Sequence, residues 1–333
     1  MSRFLINSLL PFLSRPEAKK KSESLIFETQ PNLGRHWARK SPAARWWKRL
    51  GINGVLSLGI AAGVMAWAAP VRALQVRITP EDPQLGDTLS VVIETDSEGV
   101  EPTVSRPGSE QSYPVFATGS NRYRAFVPTT PLNEPGRVKL RIQGEDEVRN
   151  LAVWLRDRSF PTQRISLSGD SLEATQLELD RIAEFKEIVT PKKLWDGKFV
   201  RPNPAQVSTV FGVRRYYNGE FAKDYYHSGV DYAANAGAPV VAPATGRVKL
   251  VGREKSGFRV HGNTVGIDHG QGVLSIFLHL DKIKVEDGEL VEAGEKIGTV
   301  GSTGASTGPH LHWGLYVNGV AVDPVPWRFQ GIN

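Results

Sequence analysis

The 333-residue chain contains no cysteine, which excludes a disulfide framework, a thiolate metal or iron–sulfur site and a cysteine nucleophile. Methionine occurs only at Met1 and Met65, and histidine only seven times. A basic body is missing too, although the formal net charge is +6. Residues 1–50 hold 11 of the 41 Lys and Arg but 3 of the 35 acidic residues, so the rest of the chain is slightly acidic. That distribution argues against a nucleic-acid-binding surface and for a charged leader kept on the cytoplasmic side of a membrane. What the chain has in quantity is core material: 40% hydrophobic and 9% aromatic residues, enough for about two domains at ~100–200 residues each.

The clearest apolar run is Gly51 to Ala69, preceded by Arg39, Lys40, Arg45, Lys48 and Arg49 and followed by Pro70-Val71-Arg72-Ala73. A charged front, an apolar centre and small residues at Val71 and Ala73, third and first before Leu74, form the pattern of a secretory signal. Its 19 residues come nearer to a membrane span than to a signal core of ~7–15, while Asn53, Ser57 and four glycines keep it only mildly apolar. We therefore expect residues 1–50 to be a basic cytoplasmic leader and residues 51–73 a signal peptide or membrane anchor. Everything after Leu74 then lies in the cell envelope, on the periplasmic or extracellular side, where lack of cysteine avoids unwanted oxidation.

From Leu74 the pattern becomes short alternating runs: Leu74 to Ile78, Thr88 to Thr95, Tyr113 to Ala117, Tyr123 to Val127, Val138 to Ile142 and Val148 to Leu155, with Pro, Gly, Asp and Asn between them. Strands at this spacing predict a small antiparallel sandwich over residues 74–158. The turn Pro80 to Thr88 resembles the first turn of bacterial immunoglobulin-like modules. No His, Asp and Glu cluster appears here, so the sandwich reads as a spacer or docking module. Residues 159–204 read as a short helical linker. Leu172, Leu179, Ile182, Phe185 and Val189 predict a helix over Ser171 to Val189, with Asp170 and Glu173 as its capping pair and Pro191 as its stop.

Beyond Ala205 the segments are strand-like and punctuated by glycine: Val207 to Val213, Pro239 to Ala242, Arg247 to Val251, Thr264 to Asp268, Leu274 to Leu278, Lys296 to Val300 and Leu311 to Val317. All histidines except His36 lie in this part. Two spacings carry chemistry. In His227-Ser228-Gly229-Val230-Asp231 an imidazole and a carboxylate stand four residues apart, with Gly229 expected to let the backbone turn so that both reach one centre. In His310-Leu311-His312, strand geometry sends both imidazoles to one side while Leu311 and Trp313 pack behind. Together they offer about three ligands and a spare imidazole, the supply that a catalytic zinc with an open position for water requires.

These pairs stand in a longer series: Gly237-Ala238-Pro239-Val240-Val241-Ala242-Pro243-Ala244-Thr245-Gly246, Gly262-Asn263-Thr264-Val265, Ile267-Asp268-His269-Gly270, His279-Leu280, and Gly301-Ser302-Thr303-Gly304 leading to Pro309-His310-Leu311-His312. In content and order the series, from about Ala205 to Trp327, resembles the M23 zinc metallopeptidases of the LytM and lysostaphin type. The resemblance implies an all-β chain in which an Ig-like sandwich precedes an M23 barrel-sandwich domain, a duplicated hybrid motif, at residues 205–330. It implies that His227, Asp231 and His312 hold Zn2+, and that His279 and His310 are non-ligand imidazoles that handle protons. It further implies an exported endopeptidase acting on amide bonds of peptidoglycan peptides, or, as the rival reading, a scaffold of this fold that activates other wall hydrolases.

Four further residues receive structural readings. Arg214, in Phe211-Gly212-Val213-Arg214, is expected to support the fold. His269 is expected to hydrogen-bond within a turn, and His261 to be solvated. Gly304-Ala305-Ser306-Thr307-Gly308 fits the G-x-S-x-G pattern of serine hydrolases, but a strand and not a helix follows it, so Ser306 reads as a turn residue. The glycines around Val291 and Ile297 suggest a carrier-domain hairpin, yet no lysine sits at its tip. Oligomeric state leaves no mark in the sequence.

Overall fold

The computed structural model describes residues 74–95, 98–166 and 173–330, so the basic leader, the apolar run and the expected cleavage site lie outside the described residues. Among the described residues no helix is long and apolar enough to cross a membrane.

Eight strands open the described part: β1 (Gln75–Thr79), β2 (Thr88–Glu94), β3 (Thr103–Ser105), β4 (Ser112–Tyr113), β5 (Val115–Ala117), β6 (Arg122–Pro128), β7 (Gly136–Gln143) and β8 (Val148–Leu155). They form two four-stranded antiparallel sheets, ordered β1-β2-β6-β5 and β4-β3-β7-β8. Alternation explains how they close over one core. Val138, Leu140 and Ile142 of β7 turn inward while Arg137, Lys139 and Arg141 stay exposed, and Leu89, Val91 and Ile93 of β2 supply the opposite face. The run expected over Tyr113 to Ala117 divides at Pro114. A proline cannot donate to a ladder, and here the chain leaves one sheet and enters the other.

The segment after the sandwich does more than link. Its strand β9 (Thr162–Ile165) lies outside the expected strands, and it is followed by α1 (Gln176–Lys186). The helix is shorter than the periodicity suggests. Its N-cap is Thr175, whose Oγ1 accepts from the Glu178 N–H at 3.1 Å, in place of the expected pair Asp170 and Glu173. Asp170 lies outside the described residues, and Glu173 precedes the cap on exposed backbone. Ile182 and Phe185 pack against Leu250, Phe258, Leu274, Ile276 and Tyr316, seating the helix on the domain that follows.

That domain comprises β10 (Gln206–Thr209), β11 (Arg214–Tyr217), β12 (Glu220–Phe221), β13 (Gly229–Ala233), β14 (Pro239–Val241), β15 (Gly246–Gly252), β16 (Asn263–Gly270), β17 (Val273–Ile283), β18 (Leu290–Val291), β19 (Lys296–Val300), β20 (Leu311–Val317) and β21 (Val320–Val322). Its main sheet runs β10-β13-β20-β17-β16-β15-β18, with β19 bridging β17 to β14, and β21 beside β20. Side chains from most of these strands meet in one core around Tyr232, Val265, Ile267, Phe277, Val300 and Trp313. Strand β9 pairs in parallel with β11, and β12 completes a small separate sheet. The described residues are thus nearly all-β, with one α-helix.

Sandwich and C-terminal domain meet through an aromatic seam. Phe126 packs on Trp195 and Trp327 at ring-centroid distances of 6.2 and 5.7 Å, and the Asn318 amide donates to the Phe126 carbonyl at 2.9 Å. Arg158 and Asp323 form an ion pair at 2.8 Å beside it.

Candidate metal centre

Three neighbouring strands build the site. In the antiparallel register of β13 and β20, Asp231 stands directly opposite His312, and His312 also faces Leu278 of β17. His227 lies just before β13, where its N–H donates to Val213 O and its carbonyl accepts from Gly212 N, both at 2.9 Å. Gly229 plays a different part from the expected turn. It is the first residue of β13, and a Cβ there would lie 2.3 Å from the Trp313 carbonyl oxygen and 2.8 Å from His312 Nε2. The bare glycine lets β13 approach the histidine-bearing strand.

The three side chains converge. His227 Nε2 lies 3.0 Å from Asp231 Oδ1 and 3.1 Å from His312 Nδ1, while His312 Nδ1 lies 2.8 Å from Asp231 Oδ1. All three residues are buried. Burial alone would raise the Asp231 pKa, but hydrogen bonding and charge from the two histidines outweigh it and hold the carboxyl well below the usual range. Burial pushes His312 down to about 4 despite the pull of Asp231, which keeps its ring neutral near pH 7.

The hydrogens available to the cluster are too few for its three polar atoms. His227 Nδ1 lies 2.9 Å from Val210 O, an atom that can only accept, so Nδ1 carries the hydrogen. In the neutral ring Nε2 is then a lone pair aimed at a carboxylate oxygen. Only His312 Nδ1 can bring a hydrogen to the cluster, which leaves the edge between His227 and Asp231 without one. A cation at the centre removes that repulsion. The 2.8–3.1 Å separations also approach the ~3.3 Å edge of a tetrahedron with ~2.0–2.1 Å bonds, the arrangement zinc takes with imidazole and carboxylate ligands. The donor set, two imidazoles and a carboxylate, fits Zn2+.

The two remaining imidazoles lie together, with ring centroids 4.8 Å apart. His279, in β17, has a left-handed φ of 62° and points Nδ1 at the Thr303 carbonyl, 2.8 Å away. Burial, reinforced by nearby His310 and His312, lowers its pKa to about 3. His310 is half-buried and points Nδ1 at the Gly308 carbonyl at 2.9 Å. Each Nδ1 therefore carries its hydrogen, which leaves Nε2 as the nitrogen that can exchange a proton. The five residues singled out by spacing and resemblance thus occupy one neighbourhood.

Other sequence readings divide. His269 is fully buried, with Nδ1 3.0 Å from Thr245 O and Nε2 2.9 Å from Ser275 Oγ, a structural role on β16. Arg214 donates from Nε to the Tyr225 carbonyl at 3.0 Å and so braces the loop ahead of His227. Tyr226 Oη donates to Ala321 O at 2.9 Å, and Arg215 Nη1 donates to Tyr225 Oη at 2.9 Å, so both tyrosines are tied into the fold. Ser306 Oγ donates to Gly308 O at 2.8 Å and lies 3.2 Å from His310 Nδ1. Because that nitrogen is committed as a donor, it cannot deprotonate the serine, and Ser306 braces the ring.

His261 contradicts its expected solvation. It is buried, and its Nδ1 lies 2.6 Å from Glu178 Oε1 of α1. Glu178 itself is missed by sequence reasoning. Its one available signal is position, since Glu178, Ile182 and Phe185 share the buried stripe of the helix and a carboxylate on that stripe demands partners.

The part of the chain that carries this cluster is similar to known proteins. Residues 225–324 match the family model for peptidase family M23. Over 99 residues, 30% of this chain and 22% of the relative, the sequence is 48% identical to DD-carboxypeptidase/endopeptidase Mpg of Neisseria meningitidis. Over 122 residues, 36% of this chain and 26% of the relative, it is 39% identical to peptidoglycan DD-endopeptidase ShyC of Vibrio cholerae. The matched stretch thus spans about a quarter of the length of these curated relatives. The crystal structure of a provisionally assigned M23 peptidase from Pseudomonas aeruginosa aligns with a TM-score of 0.55 and 28% identity, covering 74% of this chain and 96% of that one. That alignment extends well beyond the residues of the family match.

Proposed function

We propose that this chain, whose residues 225–324 match the model of peptidase family M23, is an exported zinc endopeptidase that hydrolyses amide bonds in peptidoglycan peptides. One observation carries the reading: two imidazole nitrogens and a carboxylate oxygen meet within 3.1 Å with too few hydrogens to satisfy one another. In this reading His227, Asp231 and His312 hold the metal. Bound zinc supplies Lewis acidity, polarising a carbonyl and lowering the pKa of a coordinated water to about 7.

The protein's own residues supply the rest. Amide hydrolysis consumes one water, and a proton of that water must reach the departing amine nitrogen. An imidazole with a free lone pair can take and return it. His279 and His310 each have Nδ1 fixed on a backbone carbonyl and Nε2 free, so both present the basic nitrogen without having to choose a tautomer. The Thr303 and Gly308 carbonyls fix the ring orientations, which lowers the reorganisation needed at reaction.

The substrate class rests on the peptidoglycan activity carried in the names of the relatives and on the resemblance of the motif series. Export follows from the substrate's location and from the basic leader ahead of the apolar run Gly51 to Ala69. Assembly of all five side chains favours an enzyme over a scaffold that only activates other hydrolases. The test is digestion of defined peptidoglycan fragments by the purified chain, read by mass spectrometry. Cleavage that stops on chelation and returns with zinc is expected; intact fragments with a zinc-loaded chain would overturn the reading.

A further inference from the structure

Glu178 lies outside the M23 match and far from the metal ligands in sequence, yet it is the most heavily engaged buried carboxylate of the described residues. It is fully buried. Oε1 accepts from His261 N at 2.7 Å and Val260 N at 3.1 Å, and Oε2 from Arg259 N at 3.0 Å, in addition to the 2.6 Å contact with His261 Nδ1. Three successive backbone N–H groups and an imidazole thus converge on one side chain. An isolated buried carboxylate is costly, so this one holds residues 259–261 as firmly as they hold it.

The turn that Glu178 grips is the one that grips His279. His279 N donates to the His261 carbonyl at 3.0 Å. From the other side its Nδ1 donates to Thr303 O, and Thr303 belongs to a loop interleaved with the same turn. Asn263 N donates to Thr303 Oγ1 at 2.9 Å, and Ala305 N to Val260 O at 2.9 Å. No Cβ fits at Gly262, where it would lie 2.5 Å from the Thr303 backbone, or at Gly304, where it would lie 2.5 Å from Val260 O. His279 itself has a φ of 62°, a conformation a non-glycine residue keeps only when its surroundings impose it.

We infer that Glu178 is a positioning residue for catalysis: through the main chain of residues 259–261 it sets the backbone and ring of His279 beside the metal centre. The helix ahead of the peptidase domain therefore completes the active site without touching substrate. This rests on the proposed role of His279, and the two can fail separately.

The experiment compares four full-length proteins: the parent chain, Glu178→Gln, His279→Ala and the double variant. Glutamine keeps the volume but replaces one accepting oxygen with an NH2 group that faces N–H donors. Zinc content, kcat and KM on a defined peptidoglycan fragment are measured well below each protein's melting temperature. Glu178→Gln should keep one zinc per chain and lose about 10-fold or more in kcat with KM little changed, as displacement of a positioned group does. In the His279→Ala background the same substitution should cost nothing further, because its effect passes through the missing ring. A zinc-loaded Glu178→Gln protein with unchanged kcat would overturn the inference, and so would an equal loss in both backgrounds. Full activity in His279→Ala would instead sink the role of His279 itself. Should Glu178→Gln fail to fold, Glu178→Asp, which keeps the charge and withdraws it by one methylene, is read by the same criteria.

Discussion

The sandwich and the C-terminal domain are both β-structures closed over apolar cores, but they bury different polar groups: Asp87, Arg124 and Thr129 in the first, a cluster of histidines in the second. The sandwich core around Leu89, Val104, Leu140 and Ile142 contains no histidine, and the exposed charges of β7 alternate away from it. The C-terminal domain buries His227, Asp231, His261, His269, His279 and His312 beside Tyr232, Phe277 and Trp313. Polar groups taken out of water are destabilising unless paired. Among them, His261, His269 and His279 find partners in backbone carbonyls, N–H groups, a carboxylate or a hydroxyl. The exception is the edge between His227 and Asp231, where with a neutral His227 two acceptors lie 3.0 Å apart and a cation would be accommodated.

Glycine substitutions sharpen this contrast most. Gly229→Ala puts a methyl against the Trp313 carbonyl and His312, so we expect loss of zinc affinity and a few kcal/mol of stability, seen by metal content and thermal melting. Gly108, in a sandwich turn with φ 80° and nothing within 4 Å of a Cβ, should cost only about 1 kcal/mol on change to Ala, with zinc and activity unaffected.

Leu140→Ala tests the sandwich from its centre. Removing a fully buried leucine should cost about 2–5 kcal/mol in denaturant unfolding, while kcat per bound zinc stays unchanged below the transition. A fall in kcat there would show that the sandwich core reaches the site.

Acid should weaken the C-terminal domain first. His269 titrates near 4 in its buried place, against about 6.5 when unfolded, because burial disfavours its charged form. The unfolded chain then binds more protons between those values, so stability contributed by the neutral ring is present above pH 6.5 and lost as pH falls towards 4. The loss approaches about 3 kcal/mol. Glu178 works in the same direction at lower pH: its partners hold its carboxyl below the usual range against the opposing effect of burial. Urea melts at pH 7 and pH 5, with and without His269→Gln, read the histidine term; a pH dependence unaltered by the substitution would refute it.

Much of this was legible in the sequence because the site is built from local spacings. His227 with Asp231, and His310 with His312, declare themselves within five residues and within three, and the strand holding His312 has a clear apolar run. Strand β13 was not legible. Four of its five residues are buried, so the alternation that marks a one-sided strand is absent. Strand β9 is short and mostly exposed, and only its partner β11 makes it a strand. The burial of His261 depends on a carboxylate 83 residues away, a contact that no local pattern encodes.

The central claim is that the two histidines flanking Leu311 divide the work, one holding metal and the other moving protons. Zinc content and hydrolysis rate measured together on purified His312→Ala and His310→Ala test it most directly. His312→Ala should lose both, because it removes one of three protein ligands. His310→Ala should keep its zinc and lose ~10²–10⁴-fold in rate, as for a positioned acid or base. Equal loss of zinc in the two variants, or full activity in both, would contradict the account.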